Sequence, residues 1–260
     1  MYFNNIIKII TKYKWLLQEL IIRDLKLKYR RSVLGYLWSV LNPLMMMVIM
    51  TIVFSNMFRF DIPQYPVYLL CGQLVFNFFA ESTNMAMSSI LGGAALIKKV
   101  YIPKYIFPVS RILSCFATML FALVALFIVM CVMDVPFRAT LVLMPVALLY
   151  ILVFCIGVGL MLSTFVVFFR DVQHLYGVLI TGLNYLTPIF YPVSMLPEWL
   201  QDLIILNPLY SLVTLFRKVT IYGEWPTINE HLICIGFASL FLFLGAYIFN
   251  KKQNDFILYI

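Results

Sequence analysis

Long apolar segments separated by short charged ones dominate the chain. Six stretches are long enough to cross a bilayer, because a spanning helix needs about 20 apolar residues at 1.5 Å per residue. They are Ser32 to Phe58, Ile62 to Ile97, Ile112 to Met133, Ala139 to Phe169, Val172 to Pro197 and His231 to Asn250. Unbroken runs such as Cys115 to Met133 exclude a transmembrane barrel, whose strands alternate with a period of two. We therefore predict an all-α membrane protein with six transmembrane helices.

A seventh apolar stretch, Trp199 to Phe216, is interrupted by Asp202 and by the pair Asn207-Pro208. Because proline breaks a helix interior, two short helices fit this stretch better than one span. We expect them between spans five and six, as external re-entrant or gate helices that dip into the outer leaflet or cap the bundle.

The segment before the first span is amphipathic. At 100° per residue, residues 6–30 place their charged side chains in one stripe and their apolar side chains opposite. This pattern predicts a helix that lies in the membrane interface. Its last basic residues are Arg23, Lys26, Lys28, Arg30 and Arg31. Two roles remain open: an anchor that sets topology, or an element that moves with a cytoplasmic partner or receives a lipid-linked substrate.

Composition supports a membrane protein. The 260 residues are 63% hydrophobic and 12% charged, against roughly 45–50% and 25% in soluble domains, which excludes a soluble or a disordered chain. The five cysteines lie in apolar runs without disulfide or zinc spacing, and His174 and His231 have no second ligand at a suitable spacing. We predict no metal site. Lys8 interrupts the first apolar cluster, so we also expect no cleavable signal peptide.

The basic residues indicate the orientation. If six spans are correct, 15 of the 19 Lys and Arg residues fall on one side, and loops rich in these residues face the cytoplasm. Both termini are then cytoplasmic, whereas a seventh span would place Lys251 and Lys252 outside. The net charge of +8 does not indicate nucleic-acid binding, because topology and anionic headgroups account for juxtamembrane cations.

The loop after the second expected span combines cations, aromatic residues and two prolines. Pro103 and Pro108 bracket about one helical turn within the segment from Lys98 to Pro108. A short, stiff helix there would serve as a docking element on the inner face. The alternative is an ordinary loop that Tyr101, Tyr105 and Phe107 anchor at the interface.

Glu81 is the single carboxylate well inside an expected span, and an ionisable group there is a functional candidate. One interpretation is a substrate or gating contact, paired with a cation of a second subunit. The other is a packing residue near Asn77 and Asn84 on the same helix face. Close helix contact is expected at the small-residue pairs Ser88/Gly92, Ser89/Gly93, Cys155/Gly159 and Gly159/Ser163.

Four motifs carry a resemblance to a known family. They are the stretch Arg23 to Trp38 followed by Leu41-Asn42-Pro43, the loop Lys98 to Pro108, the turn Phe169 to Val172, and the segment Thr187 to Pro192 with Met195 to Pro197 and Leu206 to Leu209. In this order the chain resembles the permeases of ABC transporters that export lipid-linked polysaccharides: O-antigen, capsule and teichoic acid. The resemblance covers nearly the whole chain.

The resemblance implies a permease subunit in the bacterial inner membrane, with residues 1–260 as one transmembrane domain. Residues 1–31 would form the interfacial helix, 32–250 the six-span bundle and 251–260 a cytoplasmic tail. A homodimer would enclose a path for an undecaprenyl-linked glycan, and two separate ATPase subunits would bind ATP and Mg²⁺. This chain is expected to bind no cofactor and to have no catalytic site. Consistently, none of its eleven glycines begins a GxxxxGK[ST] phosphate loop.

The resemblance also assigns residues. The coupling helix that contacts the ATPase would be Lys98, Lys99, Val100, Tyr101, Ile102, Pro103 and Lys104, with Arg23 to Arg31 alongside. Aromatic rings stack on sugar rings, so the candidates for a glycan path are Tyr36, Trp38, Phe76, Tyr185, Phe190 and Tyr191, to which the intramembrane Glu81 is added. The candidates in the external gate segment are Pro192, Pro197, Asn207 and Pro208.

Two other classes of protein have less support. A membrane-embedded lipid-sugar enzyme would need a cluster of carboxylates or a histidine motif at the membrane surface, and the sequence has neither. A secondary transporter would show inverted repeats and several intramembrane acidic residues. Glu81 alone gives little support to that class.

Overall fold

The computed structural model describes residues 2–28, 30, 32–58, 62–100 and 102–260, with side chains described for all of these except 2–12 and 56–58. Every regular element within these ranges is helical. The α-helices, in chain order, are α1 Tyr2–Lys28, α2 Trp38–Phe58, α3 Tyr65–Met87, α4 Ser89–Gly92, α5 Ala94–Ile97, α6 Ile106–Val132, α7 Met144–Phe168, α8 Val172–Leu186, α9 Glu198–Ile204, α10 Pro208–Arg217, α11 Ile228–Lys252 and α12 Phe256–Tyr259. The helix α1 covers residues 6–28 of the predicted amphipathic segment, and its position in the membrane interface stays a prediction.

In the described part of the chain, four helices are long and apolar enough to span a membrane. They are Gly35–Ser55, Ile106–Val132, Ala139–Phe168 and Ile228–Lys252, and they match four of the six expected spans. The helix α3 does not qualify, since polar residues such as Gln73, Asn77 and Glu81 lower its mean hydropathy. The helix α8 is only 15 residues long.

Two expected spans have different boundaries in the structure. The stretch Ile62 to Ile97 is not one helix, because α3 ends at Met87 and two single-turn helices follow it. The stretch Val172 to Pro197 is helical only to Leu186. Thr187 is extended there because the ring of the following Pro188 disfavours helical backbone.

The break predicted at Asn207-Pro208 is confirmed. Asn207 caps α10 by accepting a hydrogen bond from the backbone N–H of Leu209 at 3.0 Å, and Pro208 occupies the first helical position. This position tolerates proline, because its N–H would have no partner within the helix. The short helix α9 and the segment Pro208–Tyr222 therefore meet at 88°.

The helix α3 forms the centre of the bundle and packs against α2, α6, α7 and α10. Between Val67 and Phe79 every residue is buried except Asn77. A helix that is buried on all sides is typical of a bundle centre. The exposed amide of Asn77 in this run therefore marks an opening in the packing.

The helices α7 and α11 are in close backbone contact at two glycines. A Cβ atom built on Gly245 would lie 2.9 Å from the carbonyl carbon of Gly157. This pair was not predicted from the sequence. Two of the small residues that were predicted to allow close helix contact differ in their surroundings. Gly159 is tightly packed, since a methyl group there would lie 2.7 Å from Ile112 and 2.9 Å from Ala86, whereas Gly92 faces open space.

Candidate functional site

The expected coupling segment has an exposed part and a packed part. Lys98, Lys99 and Val100 are exposed, whereas Ile102, Pro103 and Lys104 are half-buried. Tyr101 lies outside the described residues. The first three residues of the segment are thus accessible at the surface, whereas the later ones hold it against the rest of the fold.

The separate helix expected between Pro103 and Pro108 is not present. The backbone N–H groups of Ile106 and Phe107 donate to the carbonyls of Pro103 and Lys104 at 3.1 and 3.2 Å, so these residues begin α6. Pro108 lies in the first turn of that helix, where the backbone N–H needs no helical acceptor. The single-turn helices in this region are α4 and α5, which come before Lys98.

A second hydrophobic core lies directly behind this segment. We call it the inner core; its buried members are Ile90, Ile97, Phe107, Leu160, Val167, Phe249 and Phe256. Phe256, on the C-terminal helix α12, is completely buried there. The ammonium group of Lys104 donates to the carbonyl of Gln253 and lies 5.8 Å from the ring centroid of Phe256, and its burial lowers the pKa of Lys104. The loop and the C-terminal segment therefore form one packed unit.

The N-terminal helix is anchored to α6 by a buried carboxylate. Asp24 is 6% exposed and pairs with Arg111 at 2.8 Å and with Arg23 at 3.1 Å, while Ser114 donates to its second oxygen at 3.5 Å. From the sequence, Arg23 was one of the basic residues of the N-terminal segment, and its contact with Asp24 and that of Arg111 were not predicted. Asp24 is an acidic residue within a basic segment, and this was the feature of the sequence that could have indicated the ion-pair cluster.

The other basic residues of the N-terminal segment remain at the surface. Lys26, Lys28 and Arg30 are exposed, and Arg31 lies outside the described residues. Lys28 forms an ion pair with Glu81, at 2.5 Å between Nζ and Oε1. Glu81 thus has a cationic partner within its own chain. Both side chains keep more than a third of their surface exposed, so this pair is weak compared with the Asp24 cluster.

A cavity of about 400 Å³ opens beside this ion pair, between α2, α3 and α6. Two of the path candidates, Glu81 and Trp38, lie in its wall, together with Asn77 and Asn42. Of the other path candidates, Tyr36 and Tyr185 are exposed, whereas Phe76 and Phe190 are buried in the hydrophobic core around α3.

At the opposite end of α3, the segment Thr187 to Pro192 is tied down by hydrogen bonds. Tyr65 donates to the carbonyl of Phe190 at 2.8 Å, and Tyr68 donates to that of Tyr191 at 3.0 Å. Asn207 donates to the hydroxyl of Thr187 at 3.0 Å and so joins this segment to the start of α10, beside Pro208. Pro192 is half-buried and Pro197 is exposed.

Arg217 completes this arrangement, and its role was not predicted from the sequence. The side chain is 4% exposed and donates to the carbonyls of Pro188 at 2.7 Å, Ile189 at 2.8 Å and Tyr68 at 3.2 Å. Its guanidinium carbon lies 3.4 Å from the ring centroid of Tyr68, and Gly72 leaves the space that the guanidinium occupies. We call Arg217, Tyr65 and Tyr68 the outer clamp, because they hold the Thr187 to Pro192 segment against α3.

The described residues contain no group of three or more His, Cys, Asp or Glu side chains suited to a metal ion. His231 instead lies 3.1 Å from the hydroxyl of Tyr150. The features with clear chemistry are therefore the exposed residues Lys98, Lys99 and Val100, the cavity beside Glu81 and the outer clamp.

Comparison with known proteins identifies the family. Residues 16–221 match the family described as ABC-2 type transporter. The chain is 32% identical, over 90% of both chains, to the O-antigen export system permease protein RfbA of Klebsiella pneumoniae. It is 28% identical to the RfbA permease of Myxococcus xanthus, over 97% of this chain and 98% of that one. It is 25% identical to the polysialic acid transport protein KpsM of Escherichia coli, over 91% and 93%. The chain belongs to the ABC-2 type transporter family of membrane proteins.

Proposed function

We propose that this chain is the permease subunit of an ATP-driven exporter of lipid-linked polysaccharide in the bacterial inner membrane. The observation that carries the proposal is the match over most of the chain to permeases named for O-antigen export and polysialic acid transport. The cargo is O-antigen-like, with teichoic acid or capsule as the alternatives. ATP and Mg²⁺ bind a separate partner, since this sequence has no phosphate loop.

The proposed layout has six spans in one domain of residues 1–260. The four long apolar helices supply four of them, α3 at the bundle centre supplies the second, and α8 with the Thr187 to Pro192 segment supplies the fifth. The helix α1 lies in the inner interface, and both termini are cytoplasmic, as the distribution of Lys and Arg indicates. The tail from residue 251 packs beneath the bundle, and α9 with α10 forms the external gate.

We propose that two copies of the chain enclose the glycan path between their α2 and α8 helices. Both helices have large exposed apolar surfaces, and α8 also exposes polar side chains such as Gln173, His174 and Thr181. Exposing polar groups to lipid is energetically unfavourable, so these side chains are better placed facing a water-filled path or a second protein surface. The exposed rings of Tyr36, Trp38 and Tyr185 are the candidates that contact sugar.

Coupling to the two ATPase subunits runs through Lys98, Lys99 and Val100. Ile102 packs on the inner core, and Lys104 binds the C-terminal segment. A displacement of the exposed residues by the ATPase would therefore also displace α7 and α11, because packed side chains connect them. By resemblance, we place the basic residues of α1 alongside this contact, where they would interact with anionic lipid headgroups.

A cross-linking experiment tests the coupling surface. In a background with the exposed Cys131 replaced by Ser, Val100→Cys is expected to cross-link to cysteines on the upper surface of the ATPase encoded beside this permease. Trp225→Cys is the matched control: it is also exposed but lies before α11, at the end of the bundle remote from Lys104 and Gln253. Equal cross-linking from both positions would contradict the assignment.

A replacement experiment tests the function itself. Changing Lys98–Val100 to Gly-Ser-Gly leaves the Lys104 contacts in place, so the protein should insert normally but export no polysaccharide to the cell surface. The wild-type gene should restore export in a strain that lacks it. If the chain purified alone hydrolysed ATP or moved lipid-linked sugar in liposomes, the division between permease and ATPase would be wrong.

A further inference from the structure

The cavity beside Glu81 has a composition that is unusual within an apolar bundle. Among the described residues, seven of its lining side chains are polar: Lys28, Ser32, Ser39, Asn42, Asn77, Glu81 and Thr118. Its volume, about 400 Å³, lies within the usual 300–1,000 Å³ of small-molecule sites. The cavity is therefore large enough for a small ligand, and its polar side chains need either a ligand or water as hydrogen-bond partners.

The amides of Asn42 and Asn77 are available for a ligand. Both side chains are exposed, and neither has a hydrogen-bond partner among the residues that the structure describes. Asn77 interrupts a run of buried residues on α3, and an unpaired amide within an apolar bundle is unfavourable. An amide both donates and accepts hydrogen bonds, which suits a ligand with neighbouring hydroxyl groups.

The charge of the cavity favours a neutral ligand. Lys28 and Glu81 pair with each other, so their charges largely cancel. A phosphate group would have to displace Glu81 from Lys28 and would then be repelled by that carboxylate. A hydroxyl can instead donate to Glu81 while the ion pair stays intact.

The cavity also has an aromatic wall. Trp38 lies at the start of α2 and is 40% exposed, and Phe78 lines the cavity from α3. A flat indole face next to amides and a carboxylate fits a pyranose ring, which has an apolar C–H face and polar edges. We propose that this cavity binds one neutral sugar ring of the lipid-linked glycan, an inference that rests on the proposed function.

Tryptophan fluorescence tests this site. Trp15, Trp199 and Trp225 are well exposed and can be replaced by Phe, which leaves Trp38 as the single reporter. The probes are synthetic polyprenyl diphosphates that carry glucose, galactose or N-acetylglucosamine, added to the protein in nanodiscs. We expect a saturable change in Trp38 emission with at least one of them. The same lipid without sugar should give no saturable change.

Two asparagines on α3 provide a matched pair. Asn77→Ala removes hydrogen bonds to the sugar and should raise the Kd about tenfold. Asn84→Ala changes an exposed asparagine on the same helix that does not line the cavity, and should leave the Kd unchanged. If the triple Phe variant does not fold, the rise in unfolding temperature of the wild-type protein with each probe gives the same comparison.

The possible results are distinguishable. Absence of binding with all three sugars, equal binding of the sugar-free lipid, or equal effects of Asn77→Ala and Asn84→Ala would each overturn the site. Restoration of surface polysaccharide by the wild-type gene is measured separately. If export is restored but Trp38 does not respond, only the cavity assignment fails; if Trp38 responds but nothing is exported, the proposed function fails and the sugar site stands.

Discussion

The contact between Gly157 and Gly245 makes a sharp stability prediction for Gly245→Ala. The new methyl group would lie 2.9 Å from the carbonyl carbon of Gly157 and closer still to its oxygen, whereas ordinary contacts begin at 3.4 Å. Both atoms belong to backbone, so α7 and α11 must move apart. The displacement also loosens the edge-to-face pair of Phe154 and Phe241, whose centroids are 5.0 Å apart.

The expected loss of stability follows from overpacking. Forcing a methyl group into a packed helix contact costs about 1–3 kcal/mol. Alanine favours helix over glycine by roughly 1 kcal/mol in water, and this gain is smaller in a membrane, where the separated helices already exist. At about 2–4 °C per kcal/mol, the midpoint of thermal unfolding should fall by roughly 5 °C.

The matched control is Gly236→Ala on the same helix. A methyl group there meets no atom within 4 Å, so we expect a change in stability within about 0.5 kcal/mol. A thiol-reactive dye provides the assay in a Cys131→Ser background, because Cys155 on α7 and Cys234 on α11 are buried and react when these helices separate. Equal midpoints for the two alanine variants would refute the close contact.

Three further predictions use the same dye assay or the export assay. Arg217→Lys keeps the charge but cannot reach three carbonyls, so the unfolding midpoint should fall by an amount that corresponds to about 1–3 kcal/mol; an unchanged midpoint would contradict the outer clamp. Phe256→Ala empties a fully buried site at a cost of about 3–5 kcal/mol and should reduce export, whereas Leu258→Ala, 81% exposed on the same helix, should not. Asp24→Asn should destabilise the protein more than Glu81→Gln, whose half-exposed pair contributes about 0–1 kcal/mol; the reverse order in the unfolding midpoints would refute this ranking.

Local signals in the sequence predicted much of the helical layout. Run length and polarity located four spans, and the Asn207-Pro208 pair located a helix break, because proline and a capping side chain act within one turn. The same signals placed the boundaries of α3 and α8 less well. There, tertiary packing stabilises α3 despite its polar residues, and α8 ends at an X-Pro step inside an apolar run.

The long-range contacts of the site were not predictable from spacing. The contacts of Arg217 could not be predicted, because nothing near it in sequence shows that three backbone carbonyls surround it. Lys28 and Glu81 are 53 residues apart, and Gly157 and Gly245 belong to different spans. The spacing of polar and apolar residues in a single sequence shows which face of one helix is apolar. It does not show which faces of two helices pack against each other.

The surroundings of Arg217 have an electrostatic consequence. The three hydrogen-bond acceptors around its guanidinium are carbonyl dipoles, and no carboxylate of the described residues forms an ion pair with it. The carbonyl dipoles stabilise the charge of the guanidinium but do not neutralise it. A guanidinium stays protonated throughout the physiological pH range. The outer clamp therefore holds a permanent positive charge at a position that the fold fixes.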